Sequence, residues 1–266
     1  MTTSVTTLFS KIWQNYLDVT PSAVKVHNLL GSGDDLINDH VAYRTFNIEK
    51  VNIEKLSQHL IALGYKECGD YVFEAKKLRA KHFEHPISTN PKVFISELLV
   101  EEFSPAAQKI IHHIVDSIDA DCINDESFLY SGSQWEVSSS DYELLLAESE
   151  YAAWVAAWGY RANHFTVSIN HLEDYDCIQE VNSAIKKGGF LLNNTGGEVK
   201  GDQIVMLEQS STMADHATVN FSDKKVKIPS CFYEFAKRYP KDCGELYSGF
   251  VAASADKIFE STNATN

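Results

Sequence analysis

Two side chains that can do chemistry share one face of a short segment near the N-terminus. The stretch DHVAYRTFN, residues 39–47, alternates like a β-strand. Because side chains of a strand alternate between two faces, His40 and Arg44 lie together and Val41 and Tyr43 lie opposite. An imidazole can bind a transition metal, and a guanidinium can hold a carboxylate through two hydrogen bonds. A half-exposed antiparallel strand would give the same pattern, so a second stretch is needed to decide.

The second stretch is NHFTVSIN, residues 163–170, which places His164 at the head of another strand-like segment. A carboxylate follows late in each half of the chain, Glu97 in SEL (96–98) and Glu234 in YEF (233–235). Two imidazoles and one carboxylate are the ligand set that holds Fe(II) in non-haem oxygenases, and Zn(II) or Mn(II) also accept it. On these residues alone either carboxylate fits, and a purely structural role for both buried histidines stays open.

The elements around these residues occur twice in one order. A strand at 39–46, a helix ending at Gly64 and strand-like stretches at 71–85 and 91–103 make up the first half. The second half has a strand at 163–170, a helix over 172–189, and strand-like stretches at 203–211, 216–223 and 231–239. If the two halves pair with pseudo-twofold symmetry, their first strands lie side by side, and His40 faces His164.

Composition excludes several classes of function. The chain has 266 residues, 44% of them hydrophobic, and a formal net charge of −14, so we expect a packed acidic domain that does not bind nucleic acid. No apolar run approaches the ~20 residues of a membrane span. The N-terminus does not resemble a signal peptide, and five cysteines without a CxxC pair suit free thiols. These features predict a cytoplasmic protein.

Four motifs in order carry a family resemblance. DHVAYRTF, NHFTVSIN, LEQSSTMAD and IPSCFYEFAKR resemble the 2-oxoadipate dioxygenase/decarboxylase family, across roughly residues 8–250. The family is related to the vicinal oxygen chelate fold. The resemblance implies an α+β fold in which two βαβββ-type modules form a cupped, barrel-like mixed sheet around a metal site, with added helices.

We therefore predict one catalytic domain over residues 1–266. Its parts are an N-terminal helical region (1–38), the first βαβββ module (39–103), a helical spacer (104–160), the second module (161–250) and a C-terminal tail (251–266). The small polar residues ESTNATN at the end of this tail predict a frayed terminus. The sequence does not predict an oligomeric state.

The resemblance also implies roles for residues of the site. It places the metal on His40, His164 and Glu234, with Fe(II) as the cofactor and Zn or Mn as alternatives in purified protein. Arg44 is implied as the catalytic, substrate-clamping arginine. Its guanidinium would hold the far carboxylate of a short dicarboxylic acid whose other end binds the metal.

The reaction implied is an Fe(II)-dependent oxidative decarboxylation. A small 2-oxo dicarboxylic acid such as 2-oxoadipate and O2 would be the partners, CO2 would be released, and the product would be a 2-hydroxy acid, here 2-hydroxyglutarate. The resemblance further implies a place in lysine catabolism. The alternative enzyme is a metal-dependent lyase, isomerase or hydrolase of the same fold that does not use O2. A third alternative is a non-catalytic binder of small molecules.

Four further residues are candidates for contacts with the ligands or the substrate: Glu97, His82, Glu208 and Ser210. A 2-oxo acid and O2 together need three open metal positions, which argues against ligation by Glu97. Glu208 and Ser210 belong to the polar run 208–211, and Gln209 and Ser211 of this run could equally hydrogen-bond the ligands or the substrate. A polar strand edge would explain the run nearly as well. His82 opens the motif HFEH, where it would line the cavity or lie at the surface.

Overall fold

The secondary structure alternates helical and strand regions along the chain. A computed structural model describes residues 4–31 and 36–263. The helices are α1 (Val5–Leu17), α2 (Ser22–Gly31), α3 (Ile53–Ala62), α4 (Pro105–Ser117), α5 (Ala120–Ile123), α6 (Ser139–Glu148), α7 (Glu150–Trp158), α8 (Ile178–Lys187) and α9 (Ala252–Ile258). The strands are β1 (Asn38–Phe46), β2 (Lys66–Phe73), β3 (Leu78–Glu84), β4 (Lys92–Leu98), β5 (His164–Ser168), β6 (Lys200–Asp202), β7 (Leu207–Ser211), β8 (His216–Asn220), β9 (Lys225–Pro229) and β10 (Phe232–Arg238).

Eight strands form one mixed sheet in the order β2-β3-β4-β1-β5-β10-β7-β6. The two halves of the sheet have the same pairing, because β1 is parallel to β4 in one half and β5 is parallel to β10 in the other. The next two strands outward are antiparallel in each half. At the centre β1 and β5 pair antiparallel. The predicted α+β fold, with paired modules building one curled sheet, is confirmed.

The two faces of the sheet have different coverings. Helices α3 and α8, which follow β1 and β5, contact β4 and β10. On this outer side Trp13 of α1 packs edge-on against Phe165, with ring centroids 4.9 Å apart, and also contacts Tyr233. These side chains alternate along their strands with His164 and Glu234, so the apolar core lies on one face and the chemistry on the other. The face that carries His164 and Glu234 is called the inner face below.

The C-terminal segment covers the inner face. Helix α9 contacts β2, β6 and β7, and a 3-10 helix, Phe259–Thr262, continues it. Ser261 and Thr262 are buried. The prediction of a frayed terminus is therefore wrong for these residues, because their side chains replace water by partners in the protein interior; residues 264–266 lie outside the described part.

Two further differences concern strands. The stretch 71–85 forms two antiparallel strands, because a turn with Lys77 in the left-handed region (φ 54°) separates β2 from β3. The stretch 216–223, predicted as a strand of the second module, instead pairs with β9 in a separate two-stranded hairpin. Each module therefore contributes four strands to the main sheet. Over residues 4–31 and 36–263, the helices are all too short or too polar to cross a membrane.

Candidate metal centre

Three neighbouring strands bring two histidines and a glutamate together. His40 of β1 pairs with Thr166 of β5, and Thr166 pairs in turn with Glu234 of β10. His164 lies one inner-face position away, opposite Ala42. The short side chains of Thr166 and Ala42 leave the space between the two imidazoles and the carboxylate open.

The polar atoms of these residues converge within the reach of one ion. Nε2 of His164 lies 3.1 Å from Oε2 of Glu234, and Nε2 of His40 lies 3.6 Å from Oε1. The donor atoms of all three residues lie within 4.8 Å of one another, and all three residues are buried. We call His40, His164 and Glu234 the triad.

Each imidazole is held by the residue that precedes it. Nδ1 of His40 lies 2.8 Å from Oδ1 of Asp39, and Nδ1 of His164 lies 3.0 Å from Oδ1 of Asn163. Both partners are acceptors, so Nδ1 carries the hydrogen and Nε2 keeps its lone pair. The Nε2 lone pair of His164 therefore faces Glu234, and that of His40 lies between the Thr166 hydroxyl at 3.1 Å and Oε1 of Glu234 at 3.6 Å. An Nδ1 hydrogen held by an acceptor, with Nε2 left for a ligand, is the arrangement of metal-binding histidines.

Asp39 has a second partner that fixes its carboxylate. The Arg238 guanidinium donates to both of its oxygens, at 2.6 and 2.9 Å. Burial raises the pKa of Asp39, but Arg238 and His40 outweigh it and hold that pKa well below its usual range. Arg238 also donates to the carbonyls of Tyr247 and Gly249. The same guanidinium thus holds both Asp39 and the chain segment that leads to Phe250.

The electrostatics of the triad suit a cation. Burial raises the pKa of Glu234, but the two imidazoles and the Gln209 amide, which donates to Oε1 at 2.6 Å, hold it below its ordinary value. Burial lowers the pKa of His164, which keeps that ring neutral. The result is an ionised carboxylate beside a neutral imidazole.

Oε2 of Glu234 is the atom that tests the fit of a metal. It is fully buried and has no hydrogen-bond donor among the described residues, although Nε2 of His164 lies 3.1 Å away. A buried carboxylate oxygen without a partner costs free energy, and a divalent ion at this point would provide the missing partner. The residues present therefore fit a metal ion with nitrogen and oxygen ligands.

Arg44 lies on the same face of β1 but is already paired. Its Nη1 donates to both carboxylate oxygens of Glu150, at 3.0 and 3.2 Å, and Nη2 donates to Thr262 at 2.8 Å. The guanidinium carbon also lies 5.0 Å from the Tyr151 ring and 5.1 Å from the Trp154 ring. Trp154 is a buried core residue that also lies against this cation.

A narrow cavity links the triad to Arg44. Its lining includes both histidines, Glu234, Arg44 and Ser96, and α9 closes it with Ala255 and Ile258 while Phe250 and Phe259 flank that helix. The free volume is about 20 Å³, which is room for about one water molecule. Any larger ligand requires displacement of the C-terminal cover.

Glu97 faces away from the triad. Its Oε2 accepts from the Ile53 amide at 2.9 Å, at the start of α3, and its Oε1 accepts from Arg79. It is a buried cap of a helix on the outer side of the sheet, where an anion stabilises the helix N-terminus. Glu97 therefore does not contact the triad in this structure, and the predicted contact with the ligands is wrong.

The pseudo-twofold symmetry shows which residue of the first module is equivalent to Glu234. Thr166 and Ala42 are equivalent positions, because each lies two residues after the histidine of its module. Thr166 pairs with Glu234 in the second module, and Ala42 pairs with Phe94 in the first. Phe94, not Glu97, is thus the structural counterpart of the carboxylate. Matching SEL with YEF shifts the register by three residues, and an odd shift moves a side chain to the opposite face of the sheet.

The run 208–211 shows the same change of face. Ser210 donates to Asn182 of α8 at 2.6 Å, and Glu208 accepts from Tyr239 at 2.7 Å, so both lie outside the triad. Gln209 and Ser211 occupy the inner face instead. Of the four residues of this polar run, Gln209 contacts the carboxylate of Glu234, whereas Glu208 and Ser210 do not.

His82 lies on the inner face, one ring away from the triad. The Phe250 ring separates it from His40, with centroids 5.3 Å from His82 and 4.8 Å from His40. Its own partners are Glu84 and Tyr71. His82 thus lies behind the cavity wall that Phe250 forms.

Sequence reasoning missed four residues that support the site. Asp39 and Asn163 immediately precede the histidines in the DH and NH pairs, and this shared acceptor–imidazole pattern was a signal that could have identified them. Glu150 and Thr262 contact Arg44 from 106 and 218 positions away, and we find no local pattern that marks them.

Comparison with known proteins gives a consistent family. A family model described as 2-oxoadipate dioxygenase/decarboxylase matches residues 2–125 and 125–241. The chain is similar to the Oryza sativa protein named 2-oxoadipate dioxygenase/decarboxylase, chloroplastic/amyloplastic: it is 37% identical over 286 residues, covering 97% of this chain and 78% of the rice protein. That name places the rice protein in plastids; a cytoplasmic location for this chain stays a prediction.

Two solved structures are similar to this chain over most of its length. The crystal structure of hydroxyglutarate synthase from Oryza sativa in complex with 2-oxoadipate is 34% identical, with a TM-score of 0.91 over 97% of this chain and 92% of that one. A Shewanella frigidimarina structure, described only provisionally as a hydrolase, is 61% identical, with a TM-score of 0.92 over 95% of this chain and 100% of that one.

A third structure shares the fold alone. It is a protein of the glyoxalase superfamily from Ralstonia eutropha, 20% identical, with a TM-score of 0.71 over 93% of this chain and 86% of that one. The family model spans most of the chain, and the rice protein matches nearly all of it. The chain therefore belongs to the 2-oxoadipate dioxygenase/decarboxylase family.

Proposed function

We propose that the protein is an Fe(II)-dependent dioxygenase and decarboxylase that converts a small 2-oxo dicarboxylic acid, such as 2-oxoadipate, to a 2-hydroxy acid with release of CO2. The observation that carries this proposal is the convergence of His40, His164 and the unpartnered Oε2 of Glu234 on one point. Family membership supports the substrate class, because a rice relative has been crystallised with 2-oxoadipate.

His40, His164 and Glu234 would hold the metal through two nitrogens and one oxygen. When bound, Fe(II) supplies the activation of O2 and the oxidative decarboxylation of the 2-oxo acid. Asp39 and Asn163 accept the two Nδ1 hydrogens and so fix the orientation of both imidazole rings.

Arg44 would bind the far carboxylate of the substrate. It is buried and stands two inner-face positions along β1 from His40, which is about 13 Å at ~3.3 Å per residue. A guanidinium can hold a carboxylate in a bidentate pair, which fixes distance and orientation together. The substrate carboxylate would have to displace Glu150 or Thr262 from Arg44, since these two residues occupy its Nη atoms.

The apolar cover would exclude water during the reaction. Phe250, Ile258 and Phe259 line the cavity, and its free volume is about 20 Å³. A 2-oxo dicarboxylate does not fit into this volume, so α9 and Phe250 must move outward to admit it. Closure behind the substrate would leave Arg44 and the triad in a water-poor space, where electrostatic interactions are stronger.

The test is anaerobic reconstitution with Fe(II), followed by a panel of 2-oxo acids with O2 uptake and CO2 release measured together. We expect turnover of 2-oxoadipate with consumption of O2. Turnover without O2 would instead favour a lyase, isomerase or hydrolase, and the absence of turnover with bound substrate would favour a binder.

Two variants separate the proposed roles of the residues. His164→Ala removes a ligand, so we expect loss of metal retention. Arg44→Ala leaves the triad intact, so we expect full metal content and a higher KM for the dicarboxylate. Full iron content in His164→Ala would contradict the assignment of the ligands.

A further inference from the structure

A second cluster of metal-ligating side chains lies on β2 and β3. It consists of Cys68, His82 and Glu84, whose candidate donor atoms all lie within 4.8 Å of one another. Phe250 separates this cluster from the triad, because its ring packs between those of His82 and His40. The cluster is therefore distinct from the triad, although the two share a wall.

A β-bulge brings the cysteine to the histidine. The register of β2 against β3 shifts between Glu67 and Gly69, so Cys68 is the extra residue of the bulge. Gly69 pairs with His82, and a Cβ at position 69 would lie only 2.9 Å from Nδ1 of that histidine. A glycine here leaves the space in which the imidazole lies beside Cys68.

The carboxylate and the imidazole of the cluster are both oriented. Nε2 of His82 lies 2.9 Å from Oε1 of Glu84, and Nδ1 lies 2.9 Å from the Tyr71 hydroxyl. The Lys92 ammonium donates to the other oxygen of Glu84 at 3.2 Å. Burial raises the pKa of Glu84, but His82 and Lys92 outweigh it and lower that pKa to about 2, so the carboxylate is ionised at neutral pH.

We propose that Cys68, His82 and Glu84 form a second site for a divalent transition metal of the Zn(II) type. A thiolate, an imidazole and a carboxylate are donors that Zn(II) takes in proteins, and three protein ligands leave a fourth position for water. Lys92 supports this use of Glu84, because ligating carboxylates are commonly hydrogen-bonded through their second oxygen.

The protons balance on binding. The thiol of Cys68 releases one proton to solvent and becomes a thiolate. The imidazole of His82 stays neutral, because its hydrogen moves from Nε2 to Nδ1, where the Tyr71 oxygen accepts it. The metal then replaces the hydrogen that Nε2 now donates to Glu84. Binding therefore strengthens as the pH rises.

Co(II) is the probe for this site, because it accepts the same ligands and its bond to a thiolate gives strong charge-transfer absorption in the near ultraviolet. The triad contains no thiol, so the absorption does not come from Co(II) at the triad, and its loss in Cys68→Ser assigns it to the second site. The full-length protein is freed of metal with a chelator and titrated with Co(II). We expect the band in the unchanged protein and its loss in Cys68→Ser.

Two further variants are matched controls. Cys243→Ser removes another exposed cysteine, which lies near a carboxylate but not in a metal-ligating group of the described residues, and should keep the band. Glu234→Gln disables the triad and should also keep it. The proposal is overturned if the unchanged protein gives no thiolate band, if Cys68→Ser retains it, or if Glu234→Gln removes it.

Discussion

The residue before His164 offers a sharp test of how the triad is organised. Oδ1 of Asn163 accepts the Nδ1 hydrogen of His164 at 3.0 Å, while its Nδ2 is buried and has no acceptor in the described part of the chain. Asn163→Ala removes the group that orients the ring and leaves both Nε2 lone pairs and Glu234 in place. Loss of such an orienting partner weakens metal affinity about 10- to 100-fold, or roughly 1.4–2.8 kcal/mol.

The expected cost to folding is small. The substitution gives up one hydrogen bond, with a net value of about 1 kcal/mol, and it also removes a buried Nδ2 group that has no acceptor. Metal affinity is measured anaerobically by competition with a chelator, and stability is measured by urea unfolding of the metal-free protein. A large loss of affinity with little loss of stability is the predicted pattern.

Two variants control this experiment. Asn182→Ala removes another buried asparagine with an unpartnered Nδ2, but its Oδ1 accepts from Ser210 on the outer side of the sheet. Its metal affinity should not change. Asn163→Asp keeps an acceptor at the same place, as Asp39 does for His40, and should restore binding. If Asn163→Ala binds metal as tightly as the unchanged protein, the proposed tautomer and the ligand role of Nε2 are refuted.

Three other outcomes follow from the structure. Glu97→Ala should destabilise the fold by about 1.5–3 kcal/mol in urea unfolding, since the buried hydrogen bond from the Ile53 amide is lost and the pair with the half-exposed Arg79 adds little. Metal affinity should not change, and weaker metal binding in this variant would show that Glu97 acts on the metal site. Glu150→Gln should lower the KM for the dicarboxylate about fivefold, because it removes a competitor for Arg44 worth about 1 kcal/mol, and an unchanged KM would mean that no displacement occurs. The pKa of Glu84 is lowered from 4.5 to about 2 in the folded protein, so between these two pH values the unfolded chain binds one proton more than the folded chain. The folded state therefore loses stability as the pH falls from 4.5 to 2. Glu84→Gln should weaken this pH dependence in acid unfolding curves, and an unchanged slope would contradict the pairing of Glu84 with His82 and Lys92.

The pairing of the two halves could be predicted because it depends on the order of elements. Two strand–helix–strand units of the same order and similar length pack with related pairings, and the first strands meet at the centre of the sheet. His40 and His164 stand at the start of those strands, so their proximity follows from the topology alone.

The face of a side chain could not be predicted where a strand lacks an apolar pattern. In β7, Glu208, Gln209, Ser210 and Ser211 are all polar, so no alternation shows which pair points inward. The equivalence of Glu97 and Glu234 was mistaken for the same reason. The similarity of the three residues SEL to the three residues YEF is too weak to determine the register of the two strands. In β1, by contrast, Val41 and Tyr43 identify the core face without ambiguity.

The C-terminal cover escaped prediction for a different reason. Its small polar residues resemble a solvated terminus, but Ser261 and Thr262 are buried because they find partners far away in sequence. Ser261 lies 2.8 Å from Ser211, and Thr262 accepts from Arg44. A buried polar group is tolerated when it is hydrogen-bonded, and such partners are fixed only by the tertiary structure.

The departure from symmetry at one position explains how the site can stay open. Perfect duplication would place a carboxylate from each closing strand near the ion, and a fourth protein ligand would leave fewer positions for other molecules. The second module has Glu234, whereas the first has Phe94, which packs 5.0 Å from Phe250 and lines the cavity toward Arg44. Phe94 and Phe250 thus line the cavity together with the three triad residues, and the first module adds no second carboxylate to that lining. Under the proposed function, a substrate bound at the triad would lie in this cavity with its far end at the Arg44 guanidinium, which would couple its binding to its length.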